Sequence, residues 1–137
     1  MDATTQSLTL KDLNSIPLIH WDLSQLNWAH ESRKWFSWER WLAEVGAKDI
    51  NTQRGLFFND YGQAVQAAIA GQGIFLASWP ILKKPFDDRV LVCPFEESVT
   101  TDIGFDVVCT NSAKERPEVR VFLEWIIGMA ETEVCSI

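Results

Sequence analysis

The sequence predicts an α/β sandwich with an at least partly parallel sheet, and three observations carry that prediction. Short apolar strands alternate with helices along the chain, the order that strand–helix–strand units produce. The 137 residues fit one domain rather than two. A content of 47% hydrophobic and 23% charged residues is that of a globular protein and excludes global disorder.

Taken in order, Pro17-Leu18-Ile19-His20-Trp21 reads as a short strand entered through a proline. Ser32 to Val45 reads as a helix, because Trp35, Trp38, Trp41, Leu42 and Val45 recur at three and four residues and form one apolar stripe. Gly46 follows as a residue free to turn left-handed after the helix. Gly55-Leu56-Phe57-Phe58 is the second strand. Asn59 or Asp60 then caps a helix over Tyr61 to Ala70, whose Ala64, Ala67, Ala68 and Ala70 permit close approach to a sheet. Gly71-Gln72-Gly73 ends that helix, and Ile74 to Ala77 is the third strand. Trp79 to Leu82 reads as one helical turn, followed by exposed polar stretches at Lys83 to Arg89 and Glu96 to Asp102. Val90 to Cys93 and Phe105 to Cys109 are the expected fourth and fifth strands. Pro117 opens a final helix running to about Glu133.

Charge removes several function classes. Twelve Lys and Arg against nineteen Asp and Glu give a net −7. A nucleic-acid surface needs a Lys/Arg stripe to displace counterions, so direct nucleic-acid binding is not expected. A membrane-surface role fails for the same reason. No apolar run approaches the ~18 to 20 residues that span a bilayer, and the start, Met1 to Gln6, has neither the basic nor the apolar region of a secretory signal. Cys93, Cys109 and Cys135 are odd in number and widely spaced, without C-x-x-C. Neither a disulfide framework nor a zinc site is expected, and the compartment implied is the reducing cytoplasm. Cys93 and Cys109 sit in apolar runs and are expected to be buried.

No catalytic constellation is present in the sequence. His20 and His30 are the two histidines. His20 beside Asp22 suggests a general base, but no nucleophile motif accompanies it and G-x-S-x-G is absent, so no enzyme is expected. Gly71-x-Gly73 follows a helix and precedes a strand, the reverse of a dinucleotide-binding loop, so no such cofactor is implied. Asp87-Asp88 and Glu96-Glu97 read as solvated charge rather than a metal cage. Seven tryptophans are many for this length; Trp38 and Trp41 fit a core, whereas Trp21 and Trp28 suit an aromatic pocket or a partner surface.

One arrangement points to binding. Phe58-Asn59-Asp60-Tyr61 sets a helix N-terminus just after a strand, where N–H groups favour a carboxylate or other anion. Ligands of open α/β sheets collect outside the carboxyl ends of the strands. His20, Trp21 and Asp22 follow another strand's end, so His20, Trp21, Asp22, Asn59, Asp60 and Tyr61 are expected to share one rim. Asp60 reads more as a cap than as a contact, and Ser78 after the third strand is a further candidate.

At these residues the chain resembles the effector-binding domain of LysR-type transcriptional regulators, in their glycine-cleavage-activator-like subgroup. Asp12-Leu13 with Pro17-Leu18-Ile19-His20 resembles the opening of the second effector subdomain. Trp38-Glu39-Arg40-Trp41-Leu42 with Gly46 resembles the subgroup's helix. Phe58-x-Asp60 leading to Ala64 through Ala77 is similar to its most recognisable stretch. Leu91-Val92-x-Pro94-Phe95 and Pro117-x-Val119 through Ile126 resemble the following strand and the closing helix. The five motifs occur in order over almost the whole chain.

The resemblance implies a three-layer sandwich, one subdomain of a type-2 periplasmic-binding-protein-like fold, plus a C-terminal helix. It implies an effector subdomain over 1–110 and a linker with the returning helix over 111–137. It also implies a small-molecule effector, such as a small carboxylate or amino acid, and a chain without the DNA-binding domain. The alternative is a protein–protein interaction module with no small ligand. In the final helix, Val119, Phe122, Leu123, Trp125, Ile126, Ile127 and Met129 form an apolar set too broad for a solvent-facing stripe. A homodimer, or pairing with an intact regulator, is therefore expected through Phe122, Trp125, Ile126 and Met129; exchange of the helix between chains, with Asn111 to Arg116 as the hinge, is a variant of it.

Overall fold

Residues 8–24, 36–100 and 106–134 are described in the computed structural model, and they fall into two units, 1–103 and 104–137. The first unit opens with a 3-10 turn over Leu10–Asn14. The Asp12 carboxylate accepts bonds from the Thr9 N–H at 2.7 Å and the Thr9 hydroxyl at 2.8 Å, which also holds that carboxyl below its ordinary range. Leu13 of this turn is fully buried.

Three strands follow, β1 (Leu18–Trp21), β2 (Leu56–Phe58) and β3 (Ile74–Phe75). They form a parallel sheet in the order β2-β1-β3. Ile19 pairs with Leu56 on one side and with Phe75 on the other. Successive side chains of β1 point to opposite faces, and each face has its own helix. Leu18 packs with Leu13 and with Trp38 and Leu42 of α1 (Trp38–Glu44). Ile19 packs with Ala64 and Ala67 of α2 (Tyr61–Ile69). Helix, sheet and helix make the three layers that the resemblance implies.

The local chemistry explains these helices. Ser37 caps α1 by accepting the Arg40 N–H at 3.2 Å, so the helix starts at Trp38. Residues 32–35 of the longer expected helix, Trp35 included, lie outside the described residues. The buried Trp38 indole donates to the Ile19 carbonyl at 3.0 Å. Asp60 caps α2 through the Gln63 N–H at 2.9 Å. Two glycines let the neighbouring strands enter against β1. A Cβ at Gly55 would stand 1.9 Å from the Leu18 carbonyl oxygen, and one at Gly73 would stand 2.3 Å from that of Pro17.

The structure corrects three expectations. Trp79 opens a full helix, α3 (Trp79–Asp87), rather than one turn before a loop. Pro80 suits its first turn, and Lys83–Asp87 and Lys84–Asp88 pair one turn apart at 2.6 and 2.5 Å. Val90 to Cys93 is not a strand, nor is the described part of the fifth, Asp106 to Cys109. Val92 and Val108 are 76% and 87% exposed, and β-branched residues make a strand only where an edge receives them. Cys93 and Cys109 are exposed, not buried, because those strands do not form. Asn111 to Lys114, within the polar stretch leading to the last helix, is a helical turn, α4, capped by the Thr110 hydroxyl on the Ala113 N–H at 3.2 Å.

The second unit is otherwise α5 (Pro117–Val134). Val119, Leu123 and Ile126 are half-buried along one stripe. Val121, Phe122, Trp125, Ile127 and Met129 are exposed, with the Phe122 and Trp125 rings 5.8 Å apart.

Candidate functional site

The chain leaves β1 for β2 by way of α1 on one face, then returns past β1 to β3 by way of α2 on the other. Strand order therefore reverses at β1, between β1 and β3, the place where open parallel sheets hold ligands beyond the carboxyl ends of their strands. The ladder runs one step past β1, since the Asp22 N–H donates to the Phe58 carbonyl at 2.6 Å.

Tyr61 joins the ends of β1 and β3. Its ring, at the first position of α2, meets Trp21 edge-on at 5.1 Å and Phe75 at 5.3 Å. Its hydroxyl oxygen accepts the Ser78 N–H at 3.3 Å. Burial pushes the phenol above its ordinary value, opposed in part by the Ser78 bond. At neutral pH it thus keeps a proton that it can donate. Trp21 also lies 5.5 Å from Phe36.

His20 belongs to the other face. It stacks flat on Phe57, its register partner, at 4.2 Å and 5°. Its Nε2 lies 3.1 Å from the Arg54 carbonyl; a carbonyl only accepts, so this nitrogen carries the proton. Arg54 in turn donates to the carbonyls of Leu13 and Ile16. Asp22 takes the Ser24 N–H on Oδ1 at 2.8 Å, a turn that ends the strand.

Of the expected rim, then, Trp21, Tyr61 and Ser78 come together. Among the described residues, His20, Trp21 and Asp22 line a depression of about 190 Å³ together with Leu23, Phe36, Ser37, Glu39, Thr52, Gln53 and Phe57. Asp60 is used as the α2 cap and lines a wider, shallower groove of about 570 Å³ with Phe58, Gln63 and Gln66. Asn59 stands exposed beside it. Trp28 and His30 lie outside the described residues, and Phe122, Trp125, Ile126 and Met129 belong to the second unit.

Sequence reasoning missed Glu39, Thr52 and Gln53. Glu39 Oε1 accepts the Thr52 hydroxyl at 2.6 Å and the Gln53 amide at 3.1 Å. Recognising Ser37 as a helix cap would have placed Glu39 in the first turn of α1 and signalled the cluster. Among the described residues no group of three or more His, Cys, Asp or Glu stands ready to hold a metal ion. No helix among them is long and apolar enough to cross a membrane.

The family model described as the LysR substrate binding domain matches residues 4–130. The glycine cleavage system transcriptional activator of Escherichia coli K12 is 30% identical over 112 residues, covering 82% of this chain and 36% of that protein. The Haemophilus influenzae homolog of that activator is 27% identical over 97 residues, covering 71% of this chain and 32% of its own. The chain thus spans about a third of the length of these curated relatives. No solved structure matches it significantly.

Proposed function

The chain belongs to the LysR substrate-binding domain family, and on that premise we propose that its first unit senses a small metabolite, a small carboxylate or an amino acid, for a transcription regulator. The observation that carries this reading is Tyr61. One phenol touches the ends of β1 and β3 at the reversal of strand order. A ligand oxygen arriving there would receive its proton, with Trp21 as an apolar wall. The relatives are named as transcriptional activators, so the role proposed is binding rather than catalysis, and its setting is the cytoplasm. The net charge of −7 leaves DNA contact to other parts of the regulator.

A thermal-shift series with amino acids and small carboxylates tests this reading. The melting temperature of the wild type rises, and that of an Asn59→Ala/Tyr61→Ala double variant does not. Tyr61→Phe, which keeps the ring packing, loses most of the shift. Equal shifts in all three proteins would remove the rim from the assignment. Flat responses together with co-purification of a regulator would instead favour an interaction module without a small ligand.

The second unit supports pairing with a second copy or with an intact regulator. Phe122, Trp125 and Met129 are 49%, 59% and 50% exposed on one helix, and Ile126 adjoins them. Large apolar groups left bare at this density mark interaction surfaces. Light scattering behind gel filtration should report a dimer at tens of micromolar that Phe122→Glu or Trp125→Glu converts to monomer. A monomer unchanged by either substitution would end this assignment.

A further inference from the structure

We propose that the Tyr61 hydroxyl is a cap lent by one helix to another, through which occupancy of the rim is passed to α3. This deepens the sensing reading, on which the presence of a ligand rests.

A helix that begins at serine ordinarily closes its first turn within itself. The serine hydroxyl accepts an N–H of that turn, and a glutamate or glutamine three residues on accepts the N–H of the serine. At the start of α3 neither half is present. The Ser78 side chain makes no cap bond, and the residue three positions on is Ile81, which has no side-chain acceptor. The Ser78 N–H goes instead to the Tyr61 hydroxyl at 3.3 Å. Tyr61 is itself the first residue of α2, so one phenol ties the starts of two helices. Its ring is fixed from two sides, by Trp21 and Phe75. Apolar burial holds α3 lightly by comparison. Among its described side chains Leu82 alone is buried, whereas Trp79 and Ile81 are 49% and 45% exposed.

The hydroxyl accepts one bond and has one proton to give. Accepting the Ser78 N–H polarises it and strengthens the bond it donates; donating to a ligand oxygen strengthens the bond it accepts. Such coupling is reciprocal, so a ligand gains from an ordered α3 as much as α3 gains from the ligand. Occupancy of the rim therefore tightens the first turn of α3.

The experiment follows amide hydrogen exchange by NMR in the full chain. Ser78, Ile81 and Leu82 report on the first turn of α3, and Trp41 and Val45 of α1 and its cap serve as the reference. Tyr61→Phe keeps the ring and removes the hydroxyl. Exchange at the three α3 amides should rise about fivefold, the worth of one neutral hydrogen bond, with the reference amides unchanged. Adding Ile81→Gln to that variant places an acceptor three residues after Ser78 and should return exchange toward the wild-type rate. In the wild type, acetate or alanine, whichever raises the melting temperature, should slow the three α3 amides more than the reference pair. The cap is overturned if Tyr61→Phe leaves the three amides unchanged, if it speeds the reference pair equally, or if Ile81→Gln restores nothing. Failure here is separable from failure of sensing. A probe that stabilises the wild type without slowing α3 overturns the relay and leaves sensing standing. A flat response to both probes, with α3 loosened in Tyr61→Phe, counts against sensing and supports the cap.

Discussion

On the face of the sheet that Leu18 occupies, the cover is built from large side chains, with Trp38, Leu42 and Leu13 buried and Trp41 and Phe95 around them. On the Ile19 face the buried cover is Ala64 and Ala67, with Phe58 and Phe75 beside them. Both faces exclude water, but by different means. The first fills a wide gap with bulk, and the second closes the gap by bringing backbone to backbone. The difference teaches where precision lies. A helix seated on alanines is held at a fixed height, so Tyr61 at its first position is placed by the sheet itself. A helix seated on tryptophans is held by side chains that can re-pack, and Glu39 is correspondingly steadied by Thr52 and Gln53.

Removing bulk from the first face should give the largest effect. Trp38→Ala is expected to cost about 3–5 kcal/mol in urea unfolding, through a cavity and through loss of the indole bond to Ile19. Trp38→Phe keeps most of the volume and should cost much less. Comparable losses for the two would mean that the hydrogen bond, not bulk, supports that face. Adding bulk to the second face comes next. Ala64→Leu should cost about 1–3 kcal/mol and also disturb the Tyr61 rim, seen as lost tyrosine–tryptophan contacts in NMR. A neutral Ala64→Leu would show that α2 can rise, and the contrast between the faces would fail. The smallest effect is at the cap. Asp60→Ala should cost about 1 kcal/mol and Asp60→Asn nearly nothing, both by urea midpoint. A large loss in Asp60→Asn would mean that the charge of Asp60 does more than accept the Gln63 N–H.

The sheet and its helices were legible where a local rule coincided with a partner. β1, β2, β3, α2 and α5 were each readable from apolar runs, Asp60, Gly71 and Pro117. Val90 to Cys93 and Val107 to Cys109 carry the same β-branched signal, yet no ladder receives them, and that absence is not written in the segments themselves. The burial expected of Cys93 and Cys109 failed with the strands that carry them. α3 was shortened by reading Lys83 to Asp88 as solvated loop, whereas their spacing makes ion pairs along a helix. At the strand ends, Trp21, Tyr61 and Ser78 come together as the strand-end rule expects. Thr52 and Gln53 escaped it, because they reach Glu39 across thirteen and fourteen residues without any motif.

The glycines flanking β1 have a consequence for misfolding. Strands of four, three and two residues carry few ladder bonds, too few for pairing alone to forbid a sliding error. If β2 slid along β1 by one residue, Arg54 or Leu56 would bring a Cβ to the spot beside the Leu18 carbonyl that admits only Gly55. Gly73 imposes the same test on β3 at the Pro17 carbonyl. Each neighbour can therefore dock in one alignment, and a slipped sheet, with every side chain turned to the wrong face, is rejected by collision before any core has formed around it.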